Sequence, residues 1–164
     1  MKSLLICILL ISNTQIWSQV YLINLGPTIP GESTLSGYTA YTEIFDVAFN
    51  TNYLNKAKPG LLSFRKVISK TSPLIMQELY NVKTIGAIDV VVLKLGNNGQ
   101  KYSAYKLKNC IVISVKNIND TIEEIEILPT QFYIEYRPQL NTGGYGPYVS
   151  YGWNFGTNMY WDGL

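Results

Sequence analysis

Apolar and polar residues alternate along most of this chain with the two-residue period of a half-buried strand. Residues 20–25 are rich in β-formers, 41–50 ("YTEIFDVAFN") set Glu43 and Asp46 among apolar neighbours, and 61–68 ("LLSFRKVI") repeat the type. The period lengthens once, in "SPLIMQELY" at 72–80, where Ser72 suits an N-cap, Pro73 suits the first helical position, and the residues that follow are helix-compatible. Strand character then returns at 87–95 ("AIDVVVLKL") and runs through 101–118, with "GNNG" at 96–99 turning the chain into an antiparallel hairpin. A turn at Asn119-Asp120 leads to "TIEEIEILPTQFYIEYRP", whose alternation breaks at Pro129, a position suited to a bulge or bend. A glycine-rich link, "NTGGYG", precedes a last strand at 148–155. Many strands, regular turns and one short helix predict a mainly β fold, an antiparallel barrel or sandwich.

The start of the chain follows a different pattern. Met1-Lys2-Ser3 leads into an unbroken apolar run from Leu4 to Ile11, followed by polar residues and the small Ser18 before Gln19. This predicts a secretory signal peptide over 1–18, cleaved between Ser18 and Gln19, and the run is far shorter than the roughly 20 residues of a spanning helix. No stable membrane anchor is expected. Removing residues 1–18 from the 164 leaves 146, one domain's worth of chain over 19–164. Lys2 leaves with the peptide, so 13 basic against 11 acidic residues become 12 against 11, a net charge of +1 that argues against nucleic-acid binding. Cys7 leaves too, and Cys110, in the apolar run "NCIVISV", reads as a small core residue.

The chain has no histidine, which removes the commonest general base and the commonest metal ligand. Neither a cofactor nor a metal is expected. The remaining catalytic option is a carboxylate pair: Glu124 and Glu126 share one face of a strand about 7 Å apart, with Ile125 and Ile127 on the other. That pattern is also the ordinary signature of a half-solvated strand. Glu32, Ser33 and Thr34 make no nucleophile-base-orienter set, and "IPGES" reads as a tight turn in which Gly31 supplies a positive φ. Aromatic residues crowd the last twenty positions, where Val149, Tyr151, Trp153 and Phe155 alternate with Ser150, Gly152, Asn154 and Gly156. Their spacing suits a strand burying its ringed face in the core; the rival reading is a secreted module that stacks a carbohydrate or peptide on those rings.

"IPGEST", "EIFDVAF", "KVISKTSPLIMQELYNVKTI", "FYIEYRP" and "YGWNFGTN", taken in order, resemble the Hcp family, the tube proteins of type VI secretion. The resembling positions include Gly31-Glu32-Ser33, Lys70-Thr71-Ser72-Pro73 and Gly152-Trp153-Asn154, and they span nearly the whole chain after Ser18. The resemblance implies a small β-barrel with one flanking helix and no enzymatic activity. It also implies self-association into hexameric rings that stack into a tube, with sheath and spike proteins and carried effectors as partners. In that setting the segment 50–60 ("NTNYLNKAKPG") is the ring-stacking loop, Asn52, Tyr53, Leu54, Lys56 and Lys58 being its contact residues. An export signal departs from the family, whose tubes assemble in the cytoplasm.

The export reading is checked by mass spectrometry of the protein recovered outside the cytoplasm: its N-terminus is expected at Gln19 or within a few residues of it. Full-length chain held in the cytoplasm would overturn it.

Overall fold

In the computed structural model the described residues are 19–51, 53–54, 56–94, 100–141 and 144–164. The expected signal peptide, the 96–99 turn, and Thr142 and Gly143 of the glycine-rich link lie outside them. The elements run β1 (Gln19–Asn24), β2 (Thr42–Asn50), β3 (Tyr53–Leu54), β4 (Lys56–Ala57), β5 (Leu61–Val67), α1 (Thr71–Asn81), β6 (Thr84–Lys94), β7 (Gln100–Asn117), β8 (Ile122–Tyr136), β9 (Val149–Asn154) and β10 (Met159–Tyr160). All of the strand pairings are antiparallel.

Neighbouring strands follow the order β8-β5-β2-β1-β6-β7, and β7 pairs back onto β8, so six strands close into a barrel. The mainly β, one-helix fold expected from the alternation is the fold observed. Closure depends on the length of β8. Its first half, Ile122 to Ile127, pairs with β5; its second half, Gln131 to Tyr136, pairs with β9; β7 accompanies it over both. Pro129 falls in the gap where β5 has left and β9 has not begun. The strand therefore runs through it, and the expected break is a change of partner.

Inward-facing residues of every barrel strand fill the core, including Ile23, Ile44, Phe64, Ile88, Leu107 and Ile125, with Ile75 contributed by α1. A second, smaller cluster lies on the outer face of β1, β6 and β7, where Leu22, Val91, Leu93 and Ala104 sit beneath Leu35, Tyr38 and Tyr41 of the β1–β2 connection. Burial on both faces explains why β6 reads as a continuous run, "VVVL", where alternation would otherwise be expected.

That connection corrects one expectation. Gly31 does not have a positive φ; among the described glycines, Gly26, Gly37 and Gly163 do. The 31–33 stretch lies along residues 40–41, with Gly31 N–H donating to Ala40 O (3.1 Å) and the Glu32 and Ser33 amides both donating to Tyr41 O. A Cβ on Gly31 would stand 2.2 Å from the Tyr41 carbonyl, so this glycine is required for close backbone approach and not for a turn.

The helix also starts earlier than expected. Its N-cap is Lys70, without a side-chain cap, and Ser72 lies inside the first turn. At the other end Val82 takes the left-handed conformation (φ 50°), and the Val82 and Lys83 amides donate to Leu79 O and Glu78 O, closing a Schellman motif. A β-branched residue in that conformation costs about 1–2 kcal/mol. Among the described residues no helix is long and apolar enough to cross a membrane.

Cys110 is fully buried opposite Pro129, as its apolar context predicts, and burial pushes its thiol up to about 12. Because the thiolate is the reactive form, the raised value keeps the proton on sulfur throughout the neutral and mildly alkaline range. Iodoacetamide at pH 8.5 is expected to leave the native protein unlabelled and to label it fully in denaturant. Rapid native labelling would mean that the barrel opens at β7.

Candidate assembly surfaces and polar clusters

Two polar clusters lie at the first half of β8, on opposite faces of its pleat. Glu124 and Glu126 point away from the core, as their alternation predicts, while Ile125 and Ile127 point into it. Glu124 is held at its Oε2 by Arg65 Nε (2.9 Å), and the Arg65 guanidinium also donates to Asp46 Oδ2 (3.1 Å). Glu124, followed by Asp46, holds that guanidinium above its usual range. Asp46 reaches it from a β-bulge, where the register of β2 against β5 shifts between Phe45 and Ala48 and Asp46 takes a φ of 50°.

Glu123, on the same face as the isoleucines, was not singled out by the sequence. It is almost fully buried and pairs with Lys66, whose side chain has no exposed surface. Lys66 Nζ donates to Glu123 Oε1 (2.8 Å), Val67 O (2.8 Å) and Ser72 Oγ (3.1 Å), and Ser72 Oγ donates to the same carboxylate oxygen (2.7 Å). The Ser69 amide donates to Ser72 Oγ (3.0 Å). The hydroxyl expected to cap the helix is thus engaged by a buried ion pair, which ties the first turn of α1 to β5 and β8. With every donor directed at a partner and no exposed surface on Lys66, this cluster is a structural clamp and not a reaction centre.

The segment 50–60 carries a small hairpin. β3 and β4 pair Tyr53 with Ala57 and Leu54 with Lys56. Asn52 lies outside the described residues, as do the side chains of Tyr53, Leu54 and Lys56; Lys58 is exposed. At the base of the hairpin a Cβ on Gly60 would come within 2.6 Å of Asn50 O, so its two ends meet closely enough to demand glycine.

The C-terminal aromatics correct the core-packing expectation. β9 lies beyond the barrel, paired with the second half of β8, and its buried position is Gly152, over which Trp161 O and the Tyr133 ring close. The Val149–Tyr151 end of its ringed face turns outward, while Trp153, whose Nε1 is buried, and Phe155 are half-buried. Val149 is 66% and Tyr151 53% exposed, and the Tyr151 ring lies nearly parallel to Trp153 (15°, centroids 6.4 Å apart) and against Tyr160. Alternation has a period but no sign, and here the contact of Gly152 with the 161–163 segment decides which face is covered. Lysines of β7 hold that segment down: Lys106 lies over Tyr133 and Lys108 over Trp161, at 5.6 and 5.3 Å.

Two apolar surfaces therefore stand at opposite ends of β8. Val67, Ile68, Ile113 and Ile118 are exposed near its start; Tyr136, Tyr148, Val149, Tyr151 and Tyr160 are exposed near its end. The fifteen residues of β8 between these ends amount to on the order of 45 Å along the strand, at about 3.3 Å per residue.

Comparison with known proteins agrees with this architecture. The family model described as type VI secretion system effector, Hcp, matches residues 21–136. Among curated proteins none matches the sequence. A solved structure of a type six secretion system protein superposes with a TM-score of 0.78 at 19% identity, covering 88% of this chain and 100% of that one. Hcp1 from Salmonella typhimurium gives 0.74 at 21% identity (87% and 99% covered), and a type VI secretion system effector from Yersinia pestis gives 0.67 at 20% (82% and 98%). At such identities these structural likenesses speak for the fold.

The ion-pair clamp yields a direct test. Lys66→Met alone leaves the Glu123 carboxylate buried without its cation and is expected to cost about 3–5 kcal/mol in urea unfolding. Adding Glu123→Leu is expected to restore most of the loss. A single variant as stable as the parent would show that the pair does not hold the helix.

Proposed function

The chain belongs to the Hcp family of type VI secretion proteins, and on that premise we propose that it is a non-enzymatic subunit that closes into hexameric rings, the rings stacking into a tube whose bore carries effectors. The observation that carries this reading is the family match over residues 21–136 on a closed barrel. A ring requires heterologous, head-to-tail contacts between two different surfaces of each subunit, and the two exposed apolar surfaces at the ends of β8 are distinct in position and composition. A specific contact of this kind buries on the order of 800 Å² per partner. Stacking is a separate contact, which we assign to the β3–β4 hairpin, with Tyr53 and Leu54 as apolar anchors, Asn52 beside them, and Lys56 and Lys58 pairing with acids of the facing ring. Sheath and spike proteins are the partners that such a tube meets. Export through the signal peptide at 1–18 would bring the mature domain, 19–164, to the periplasm or the cell exterior.

The exposed rings of Tyr151 and Tyr160 favour one second reading, a secreted module that stacks a carbohydrate or peptide on its C-terminal aromatics. Size-exclusion chromatography with light scattering separates the two: the tube reading expects a species six times the subunit mass, and a monomer at every concentration would overturn it in favour of the module. Replacing Tyr53 and Leu54 by Ser is expected to keep the ring-sized species while abolishing longer tubes in negative-stain images. Loss of the ring itself would place the hairpin in the lateral contact.

A further inference from the structure

A cleft of about 250 Å³ opens where the start of β1, the end of β6, the start of β7 and the end of β8 meet, and its lining includes Lys94, Tyr102, Tyr136, Arg137, Gln139 and Tyr145. Among the described residues no aspartate or glutamate lines it. Glu135, the carboxylate next in sequence to this lining, is bound by Lys101.

Arg137 is held rigidly at the mouth. Its amide donates to Tyr102 O (2.7 Å) and its Nε to Gly146 O (3.0 Å), while Gly146 N–H closes the loop onto Pro138 O (2.8 Å). The guanidinium carbon stands 5.6 Å from the Tyr145 ring centroid and 5.3 Å from that of Tyr148. Its two terminal nitrogens have no hydrogen-bond partner among the described residues, and a guanidinium positioned through Nε and flanking rings presents those nitrogens as a fork suited to a planar oxyanion. Lys94 adds a second positive charge, its Nζ donating to Gln139 Oε1 (2.6 Å).

Tyr145 supplies an independent sign. Its hydroxyl is buried and has no hydrogen-bond partner among the described residues, a state that buried polar atoms rarely keep unless a bound group or water completes them. Tyr102 is pushed up to about 12, first by burial and then by neighbouring tyrosines, so its hydroxyl stays protonated and able to donate at any physiological pH.

From this arrangement we propose that the cleft binds a carboxylate carried on a group the size of one amino acid or one sugar ring, the Arg137 fork taking the two oxygens and the Tyr145 hydroxyl a further polar atom. The source is either the C-terminal carboxylate of a peptide or an acidic sugar; the chemistry is shared. Tyr136 and Tyr148 also belong to the exposed surface offered for ring contacts, so ring formation there competes with binding, while failure of the hexamer reading leaves the site open and intact.

The test is isothermal titration calorimetry of the full mature chain with four probes: N-acetyl-glycyl-phenylalanine, its C-terminal amide, glucuronate and glucose. At least one carboxylate is expected to bind, and its neutral counterpart at least tenfold more weakly. Binding by the peptide acid identifies a chain terminus as the source, and binding by glucuronate an acidic sugar. Arg137→Gln is expected to abolish the heat, Arg137→Lys to weaken binding about tenfold by losing the fork while keeping the charge, and Tyr145→Phe to weaken it severalfold in a protein with unchanged circular dichroism. Equal binding of acid and neutral probes, no binding of either carboxylate at millimolar concentration, or full binding by Arg137→Gln would overturn the proposal.

Discussion

A strand with more residues than its neighbour can pair with must find a second partner or leave its backbone groups bare, and β8 resolves this by changing partners at Pro129 while β7 stays with it throughout. From that change follow the closure of the barrel through β5 and the placement of β9 and β10 outside it. Proline is tolerated at the crossover because its missing N–H falls where neither β5 nor β9 is paired. The aromatic C-terminus is consequently a sheet extension presented to solvent, and the cleft beside Arg137 lies where that extension leaves the barrel.

The clamp between Lys66 and Glu123 works at the other end of the same strand. Two charges directly opposite in the β5–β8 register are buried together, and the desolvation cost is offset only because Val67, Ser69 and Ser72 supply further polar contacts. A hydrophobic pair would hold the two strands equally well. What the polar pair adds is a tie to the helix: Ser72 Oγ, in the first turn of α1, bonds both members of the pair.

The exterior divides along similar lines. Near the start of β8 the exposed residues are aliphatic; near its end they are mostly aromatic and interleaved with Arg137, Lys101, Lys106 and Lys108. Cation–π contacts of this kind order long basic side chains at modest energy, leaving a surface both rigid and positively charged. The fold presents two unlike faces because the two ends of one long strand carry different partners.

Strand existence, helix existence and the mainly β class were legible in the sequence, because the two-residue period of residues such as Ile125 and Ile127 and the lengthened period around Ile75 are set by neighbours a few positions away; the pattern left barrel and sandwich open, and the barrel was implied only by the family resemblance. The burial of Cys110 and the outward face of Glu124 and Glu126 followed from the same local pattern. What the sequence could not carry were the contacts that join distant positions. Lys66 and Glu123 are 57 residues apart, and although the alternation puts Glu123 on the face of Ile125 and Ile127, nothing local shows which cation it meets there. Gly31 looked like a turn residue, and only the approach of Tyr41 shows that it is needed for want of a Cβ. The outward turn of Tyr151 was undetermined for the same reason: alternation states that two faces differ, and the packing of Trp161 against Gly152 decides which one meets water.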